Sequence, residues 1–321
     1  MNKGYSNKYI ISTGMGLQAV DGLSNSDYFV SESERYIKGE ISLDEFDKLI
    51  TSYYKTKPNV KLRSDEADLV SIRIGQLLSD DSFSFTVGQL SSIHAFLFKG
   101  IIKNAGKLRT YNFTKEEWVL DNASVSYGDY RQLKETLEYD FNVEKNFDYK
   151  NLSMDEIIDH LAIFIANLWQ IHAFEEGNTR TAAVFMIKYL RHLGFEVSND
   201  LFAKNAWYFR NALVRANYTN LSKGIYEDRS FLIKFLRNLI LNEKNNLKDK
   251  ELHIKAAPAK QLSVKEQILA TLKDNPNMKL EDLSNELDVS LRTVKYMIKD
   301  LQDDEVLVRE NGKRYGYWNV L

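Results

Sequence analysis

The sequence predicts a mainly α protein: a large helical body bearing one short β-hairpin, then a small domain of three helices and a terminal hairpin. Three observations carry this. Over 64–241 one apolar pattern of helical spacing follows another, and it is clearest where Ile157, Leu161, Phe164, Ile165 and Leu168 recur three or four apart. One stretch differs: Leu108 to Leu120 holds Thr110, Tyr111, Phe113, Thr114, Trp118 and Val119, strand formers placed after the Ala105-Gly106 turn signal, and it reads as an exposed hairpin. Beyond a polar tract at 242–262, three short helical patterns at 264–272, 280–287 and 291–301 precede Val306-Leu307-Val308, a turn at Gly312 and a last strand at 315–320.

The elements divide the chain into domains. Pro58 and Pro258, two of only three prolines, fall where composition shifts. Before Pro58, Phe29, Tyr36, Ile37, Phe46, Leu49 and Ile50 mark a small helical unit broken at Gly39, with Ser42 as N-cap of its last helix. The predicted boundaries are a helical unit at 1–58, a main domain at 59–241, a linker at 242–262 and a terminal domain at 263–321. The linker expectation rests on repeated Lys and Asn followed by Ala256-Ala257-Pro258-Ala259.

Composition excludes several function classes. The 321 residues contain no cysteine, which removes disulfides, thiolate metal sites and cysteine nucleophiles. No apolar run is long enough to cross a bilayer and no basic-then-apolar leader stands at the start, so a soluble, cytoplasmic protein without a membrane partner is expected. A net charge of -2 means that any nucleic-acid binding must be local to one part of the chain.

The residues that carry chemistry run from His172 to Thr181: His172-Ala173-Phe174-Glu175-Glu176-Gly177-Asn178-Thr179-Arg180-Thr181. An apolar helix ends at the histidine, a Gly-Asn turn follows, and helical periodicity resumes until Gly194. A loop leading into a helix start aims free backbone N–H groups and the positive end of a dipole at one spot, which suits phosphate. Beside it stand a base titrating near neutrality, hard oxygen donors for Mg2+ and a guanidinium fork.

This segment resembles the Fic family, whose motif reads His-Pro-Phe-x-Asp/Glu-Gly-Asn-Gly-Arg-x-x-Arg; the match covers His172, Phe174, Glu176, Gly177, Asn178 and Arg180. Upstream, Ser92 to Phe98 resembles the family's opening helix and Ala105 to Thr110 the entry to its flap. His94, on that helix, reads as a core or surface residue. The resemblance implies a Fic-type helical domain and an adenylyltransferase that uses ATP and Mg2+ to place AMP on a Ser, Thr or Tyr hydroxyl of a protein target. It implies His172 as general base, Glu176 as the Mg2+ ligand, Gly177, Asn178 and Thr179 as the anion hole and Arg180 as the clamp on the β-phosphate. It also implies that the flap, Leu108, Arg109, Thr110, Tyr111, Asn112 and Phe113, pairs with an extended segment of the target.

Three departures from the motif bear on the chemistry. Ala173 replaces Pro, Thr179 replaces Gly, and Ala183 stands where the family has its second Arg, the contact to the γ-phosphate. The Doc branch also lacks that Arg and transfers the γ-phosphoryl group, so phosphotransfer is the alternative chemistry. Gly177-Asn178 is closer to the adenylylating form. A nucleotide-sensing transcriptional regulator without catalysis is the rival from another class; a base at His172 argues against it. The N-terminal unit is similar to the small antitoxin of some Fic enzymes, whose inhibitory helix reads Ser/Thr-x-x-x-Glu-Gly. Leu17 and Asp21 take the Ser and Glu positions and Gly22 agrees. With Ala183 in place of Arg, inhibition would need steric occlusion or a different ion pair.

The terminal domain resembles a winged helix-turn-helix. Its third helix presents Arg292, Lys295 and Lys299 at spacings that share a face, with Lys313 and Arg314 at the wing tip, as DNA contacts. Residues 260–321 hold 10 Lys or Arg against 11 Asp or Glu, so no strong electrostatic attraction helps it. Candidate partners through this domain are DNA or another protein, including a second copy of the chain as a homodimer.

Overall fold

A computed structural model describes residues 5–56, 63–254, 263–287, 289–310 and 317–320. The chain separates into two compact units, 1–255 and 256–321. The first is helical: α1 (Asn7–Gln18), α2 (Asp27–Ile37), α3 (Leu43–Thr56), α4 (Ser64–Ser79), α5 (Val87–Phe98), α6 (Leu133–Lys145), α7 (Met154–Ile171), α8 (Asn178–His192), α9 (Leu201–Ala216), α10 (Ser230–Leu241) and the single turn α11 (Asp249–Leu252). The second holds α12 (Val264–Asp274), α13 (Leu280–Glu286), α14 (Leu291–Asp303), β1 (Leu307–Glu310) and β2 (Tyr317–Val320). Among the described residues no helix is long and apolar enough to cross a membrane.

Helix starts follow local chemistry. Ser26, Thr86 and Ser290 each accept a backbone N–H at N3, and Ser153 and Ser263 form full capping boxes with Glu156 and Glu266. Ser42 caps α3 as expected, accepting from the Glu45 N–H at 3.2 Å. The centre of the first unit is α8. Every residue from Asn178 to Leu190 is buried, so the helix is enclosed on all sides, packed by α4, α5 and α7.

The first helices are built into this body. Ile10, Ile11 and Leu17 of α1 are buried, and α1 lies so close to its neighbours that a Cβ on Gly14 would stand 2.4 Å from the Ser71 carbonyl oxygen and one on Gly16 2.3 Å from that of Phe202. The Asp68 carboxylate of α4 accepts from the Ser26 N–H and hydroxyl, the Asn25 amide and, at 2.6 Å, the Tyr54 hydroxyl, tying α2 and α3 down as well. Apolar spacing alone showed a helical unit; what it did not show is that α1 is part of the core.

Two further expectations are corrected. Residues 242–254 do not span as a linker: Leu252 and Ile254 are buried, the Ile254 N–H donates to Val119 O at 2.8 Å, and Asn238 and Asn245 exchange amide and backbone bonds. The Lys and Asn repeats had masked these apolar anchors. The flap stretch forms no strand: it bends at Thr110 and Tyr111, is cross-linked by the Glu117 N–H on Ala123 O and the Lys115 N–H on the Ser124 hydroxyl, and ends in a 3-10 turn at Trp118–Leu120.

In the second unit Ile268, Leu272, Leu283, Val294, Ile298, Leu301, Leu307 and Trp318 form the core. The strands pair antiparallel, Leu307 with Val320 and Arg309 with Trp318. Trp318 is buried but Tyr317 is exposed, so the aromatic residues there are only partly core. The predicted turn at Gly312 and the wing-tip residues Lys313 and Arg314 lie outside the described residues.

Candidate functional site

The site is made where α7 hands over to α8. His172 caps α7 in the left-handed region, φ 50, and Gly177 precedes α8 at φ 72. Glycine is required there: a Cβ would stand 2.3 Å from the Phe98 ring. The Asn178 side chain closes the loop, accepting from the Phe174 N–H at 2.9 Å and donating to Phe174 O at 2.7 Å. The Thr179 hydroxyl accepts from the Trp169 indole N–H at 2.9 Å, so the side chain added at this motif position is anchored on α7.

His94, assigned by sequence to core or surface, is buried and holds the loop from α5. Its Nδ1 accepts the Gly106 N–H at 2.7 Å, which leaves the proton on Nε2 to donate to Glu176 O at 3.0 Å. It also stacks on Phe174 at 3.9 Å. Burial pulls its pKa down to about 4, with the Arg180 charge adding to the effect. His172 is buried too; its Nδ1 bonds the Trp169 carbonyl at 3.3 Å. Burial first, then the Lys115 charge, lowers its pKa to about 3, so both imidazoles are neutral at pH 7.

This carries a prediction for stability. The unfolded histidines protonate near 6.5 while the folded ones stay neutral to about 4 and about 3, so the unfolded chain binds more protons across that interval. Stability is therefore full above pH 6.5 and falls as the pH drops toward 4. Urea unfolding at a series of pH values should show this decline, and His94→Gln should flatten it; an equal slope in the variant would refute the assignment.

A cavity of about 510 Å3 opens at this junction. It is lined by His172, Glu175, Glu176, Gly177, Asn178 and Thr179 from the motif, by Asp21 and Gly22 from the turn after α1, and by Phe113 from the flap. Arg63, Lys115, Trp207 and Arg210 complete the wall. Glu176 is well exposed, and its single carboxylate fits Mg2+, which keeps most positions for water and phosphate oxygens. Among the described residues no group of three or more His, Asp or Glu side chains is placed to hold a metal by itself.

Arg180 does not line the cavity. It is fully buried, its guanidinium donating to Gln18 Oε1 at 3.0 Å and Glu66 Oε1 at 2.8 Å and lying 4.7 Å from the Phe98 ring centroid. Asp21 Oδ2 approaches its Nε at 2.9 Å, close enough for an ion pair but without the alignment of a hydrogen bond. We take the Asp21 contact as Coulombic and weaker than that of Glu66. Ala183, one turn on, is fully buried in the core, so no guanidinium would fit there without repacking.

The flap residues divide. Arg109 is buried and is no target contact: it donates to the carbonyls of His172, Ile171, Tyr111 and Gly128, satisfying the free end of α7. Leu108 is half-buried, whereas Thr110, Tyr111 and Asn112 are exposed, and Phe113 packs edge-on against the His172 ring at 5.6 Å. In the second unit Arg292, Lys295 and Lys299 are all exposed on α14, with Tyr296 among them and Val294, Ile298 and Leu301 buried behind.

Sequence reasoning missed Gln18, Arg63, Glu66, Lys115, Trp207 and Arg210. None stands near the motif in the chain, and only the fold brings them to it.

A helical body with a histidine-ended helix, a tight loop and a buried-arginine helix, joined to a winged helix, defines the class of protein. Residues 84–190 match the model of the Fic/DOC family and 263–308 that of the winged helix-turn-helix DNA-binding family; the chain carries a Fic domain and a winged helix-turn-helix domain. Similar solved structures include a Fic family protein from Desulfovibrio desulfuricans G20, at 13% identity over 98% of this chain and 86% of that one, TM-score 0.47. The N-terminal Fic domain of Bep8, a VirB-translocated effector of Bartonella sp. 1-1C, matches at 19% identity over 60% of this chain and 93% of that one, TM-score 0.44. BepC of Bartonella tribocorum, solved with AMPPNP bound, matches at 21% identity over 52% and 80%, TM-score 0.40. No curated protein matches.

Proposed function

We propose that the chain transfers AMP from ATP to a Ser, Thr or Tyr hydroxyl of a target protein, from a site restrained by Asp21. The observation that carries the reading is that a neutral imidazole, an exposed carboxylate and the first turn of a helix line one cavity of a size usual for small-ligand sites. In this reading His172 takes the proton of the target hydroxyl as its oxygen attacks the α-phosphorus. The bond from that phosphorus to the bridging oxygen breaks, and pyrophosphate leaves. With Nδ1 on the Trp169 carbonyl, Nε2 is the nitrogen left to act as base. The N–H groups of Gly177, Asn178 and Thr179 serve as the anion hole, and the dipole of α8 favours the charge placed there.

Glu176 would hold Mg2+, which when bound offsets phosphate charge. Arg180 is the β-phosphate clamp only once its guanidinium is turned from Asp21, and Gly22, left-handed at φ 68, ends the turn that presents that carboxylate. Thr110, Tyr111 and Asn112, all exposed, are the part of the flap we assign to an extended target segment, although the Tyr111 carbonyl already accepts from Arg109.

Incubation of the purified protein and a lysate with ATP labelled at the α or the γ position tests the reading. Protein-bound label from α supports AMP transfer. Label from γ alone identifies a phosphotransferase, and label from neither, with ATP still bound, identifies a nucleotide sensor.

For the second unit we propose duplex DNA as partner, contacted through Arg292, Lys295 and Lys299. Arg292→Ala and Lys299→Ala should each weaken binding and lower the slope of log affinity against log salt by about 1. Anisotropy titrations over a salt series measure this. Slopes equal to that of the unaltered protein would leave a protein-docking role for α14.

A further inference from the structure

Arg180 is the guanidinium the motif offers to a phosphate, yet four groups already occupy it, and one of them, Glu66, belongs to α4. Moving the turn that carries Asp21 would leave the aligned Glu66 bond in place. The cavity therefore needs another cation if it is to balance a triphosphate. Three line it. Arg210 is buried and lies 2.6 Å from the buried Glu117 carboxylate, with its guanidinium over Trp207, so it is already spent. Lys115 stands 3.9 Å from Asp21 as a loose ion pair.

Arg63 differs. It stands in the left-handed region, φ 53 and ψ 24, immediately before α4, and half of its side chain is exposed. Its Nε donates to Glu66 Oε2 at 2.8 Å, and its Nη2 lies 2.7 Å from that same oxygen and reaches Glu176 Oε2 at 3.2 Å. Glu66 thus holds Arg63 on one oxygen and Arg180 on the other, and the far end of Arg63 lies on the carboxylate that fits Mg2+. A guanidinium anchored on one carboxylate through its Nε and Nη2 edge while Nη2 also touches a second, exposed carboxylate can exchange that second partner without losing its place.

We propose that Arg63 is a phosphate-binding residue of this site, exchanging Glu176 for the β- or γ-phosphate of a nucleoside triphosphate when Glu176 takes the metal. The inference rests on the nucleotide site proposed above. It assigns to a residue outside the motif the cation that Ala183 does not supply. It also makes the empty and loaded states exclusive: in one, Arg63 neutralises Glu176; in the other, each has its own partner.

Calorimetric titration of the full-length protein with ATP, ADP and AMP, with and without Mg2+, tests this without reference to turnover. Arg63→Ala should weaken ATP with Mg2+ by about 10- to 100-fold, the loss of one charged hydrogen bond or fork, and change AMP by less than about twofold. Arg63→Lys should recover part of the loss, as a point charge without the fork. Equal ATP affinity in the alanine variant and the unaltered protein would overturn the proposal and leave the site reading intact. Tighter ATP binding by the variant would also overturn it, since Arg63 would then only compete with the metal for Glu176. An unaltered protein that binds neither ATP nor ADP would overturn the site reading and this inference together. Because Arg63 is half exposed and Glu66 keeps Arg180, the variant should melt within a few degrees of the unaltered protein.

Discussion

His172→Ala should lower AMP transfer by about 10²–10⁴-fold, the usual worth of a positioned general base, while ATP affinity stays within about twofold. The two effects separate because the imidazole is neutral. Its pKa of about 3 means that it adds no charge to the field that phosphates meet, so its removal alters the proton's destination and little else. The fold should tolerate the change, since Asn178, His94 and Arg109 hold the loop through bonds to the backbones of Phe174, Glu176 and the end of α7. Labelling with α-labelled ATP, beside a binding titration, makes the measurement. Undiminished transfer by the variant would remove His172 from the mechanism, and a parallel loss of ATP affinity would make it a binding residue.

How much of this was legible before the fold was known depends on distance along the chain. The His172 to Arg180 loop could be read because its chemistry is local: a helix end, a glycine that must be left-handed and a new helix start all lie within ten residues. The winged helix could be read for the same reason. The partners of Arg180 could not, since Gln18 and Glu66 come from more than a hundred residues away and neither has a local signature. The family resemblance put Arg109 in a flap that meets a target, and nothing in the local sequence marks it as buried. Its guanidinium instead serves the carbonyls of Ile171 and His172 at the end of α7 together with those of Tyr111 and Gly128, a demand set by tertiary structure. The flap misled similarly: strand formers there pack Phe113 on His172 and bury Val119, and backbone pairing is supplied elsewhere or not at all. The resemblance to an inhibitory helix lay between these cases. Its pattern was degenerate, and inhibition would need either occlusion or another ion pair; the fold places Asp21 2.9 Å from the motif's first arginine, which is the pair we propose.

That pair sets the second large effect. Asp21→Ala should raise AMP transfer at subsaturating ATP by about tenfold, the equivalent of about 1.4 kcal/mol. Asp21 puts a carboxylate on the wall of the cavity proposed for a polyanion, and it lies 2.9 Å from Nε of Arg180. Removing it both lifts the repulsion and frees that edge. Glu66 and Gln18 remain to satisfy the rest of the buried guanidinium, so no charge is left unbalanced inside the protein. The fold should survive, because α1 is held by Ile10, Ile11 and Leu17 and by close approaches at Gly14 and Gly16. For the same reason, deleting the first helices would expose the core and does not test inhibition. Asp21→Asn sharpens the result. If charge is the restraint, the isosteric amide should raise activity nearly as far as alanine does; if bulk is the restraint, only alanine should. Initial rates for the three proteins, with melting curves to show that all are folded, decide between them. Should both variants fold and neither gain in rate or ATP affinity, Asp21 would be a structural partner of Arg180, and the first helices would have no part in regulation.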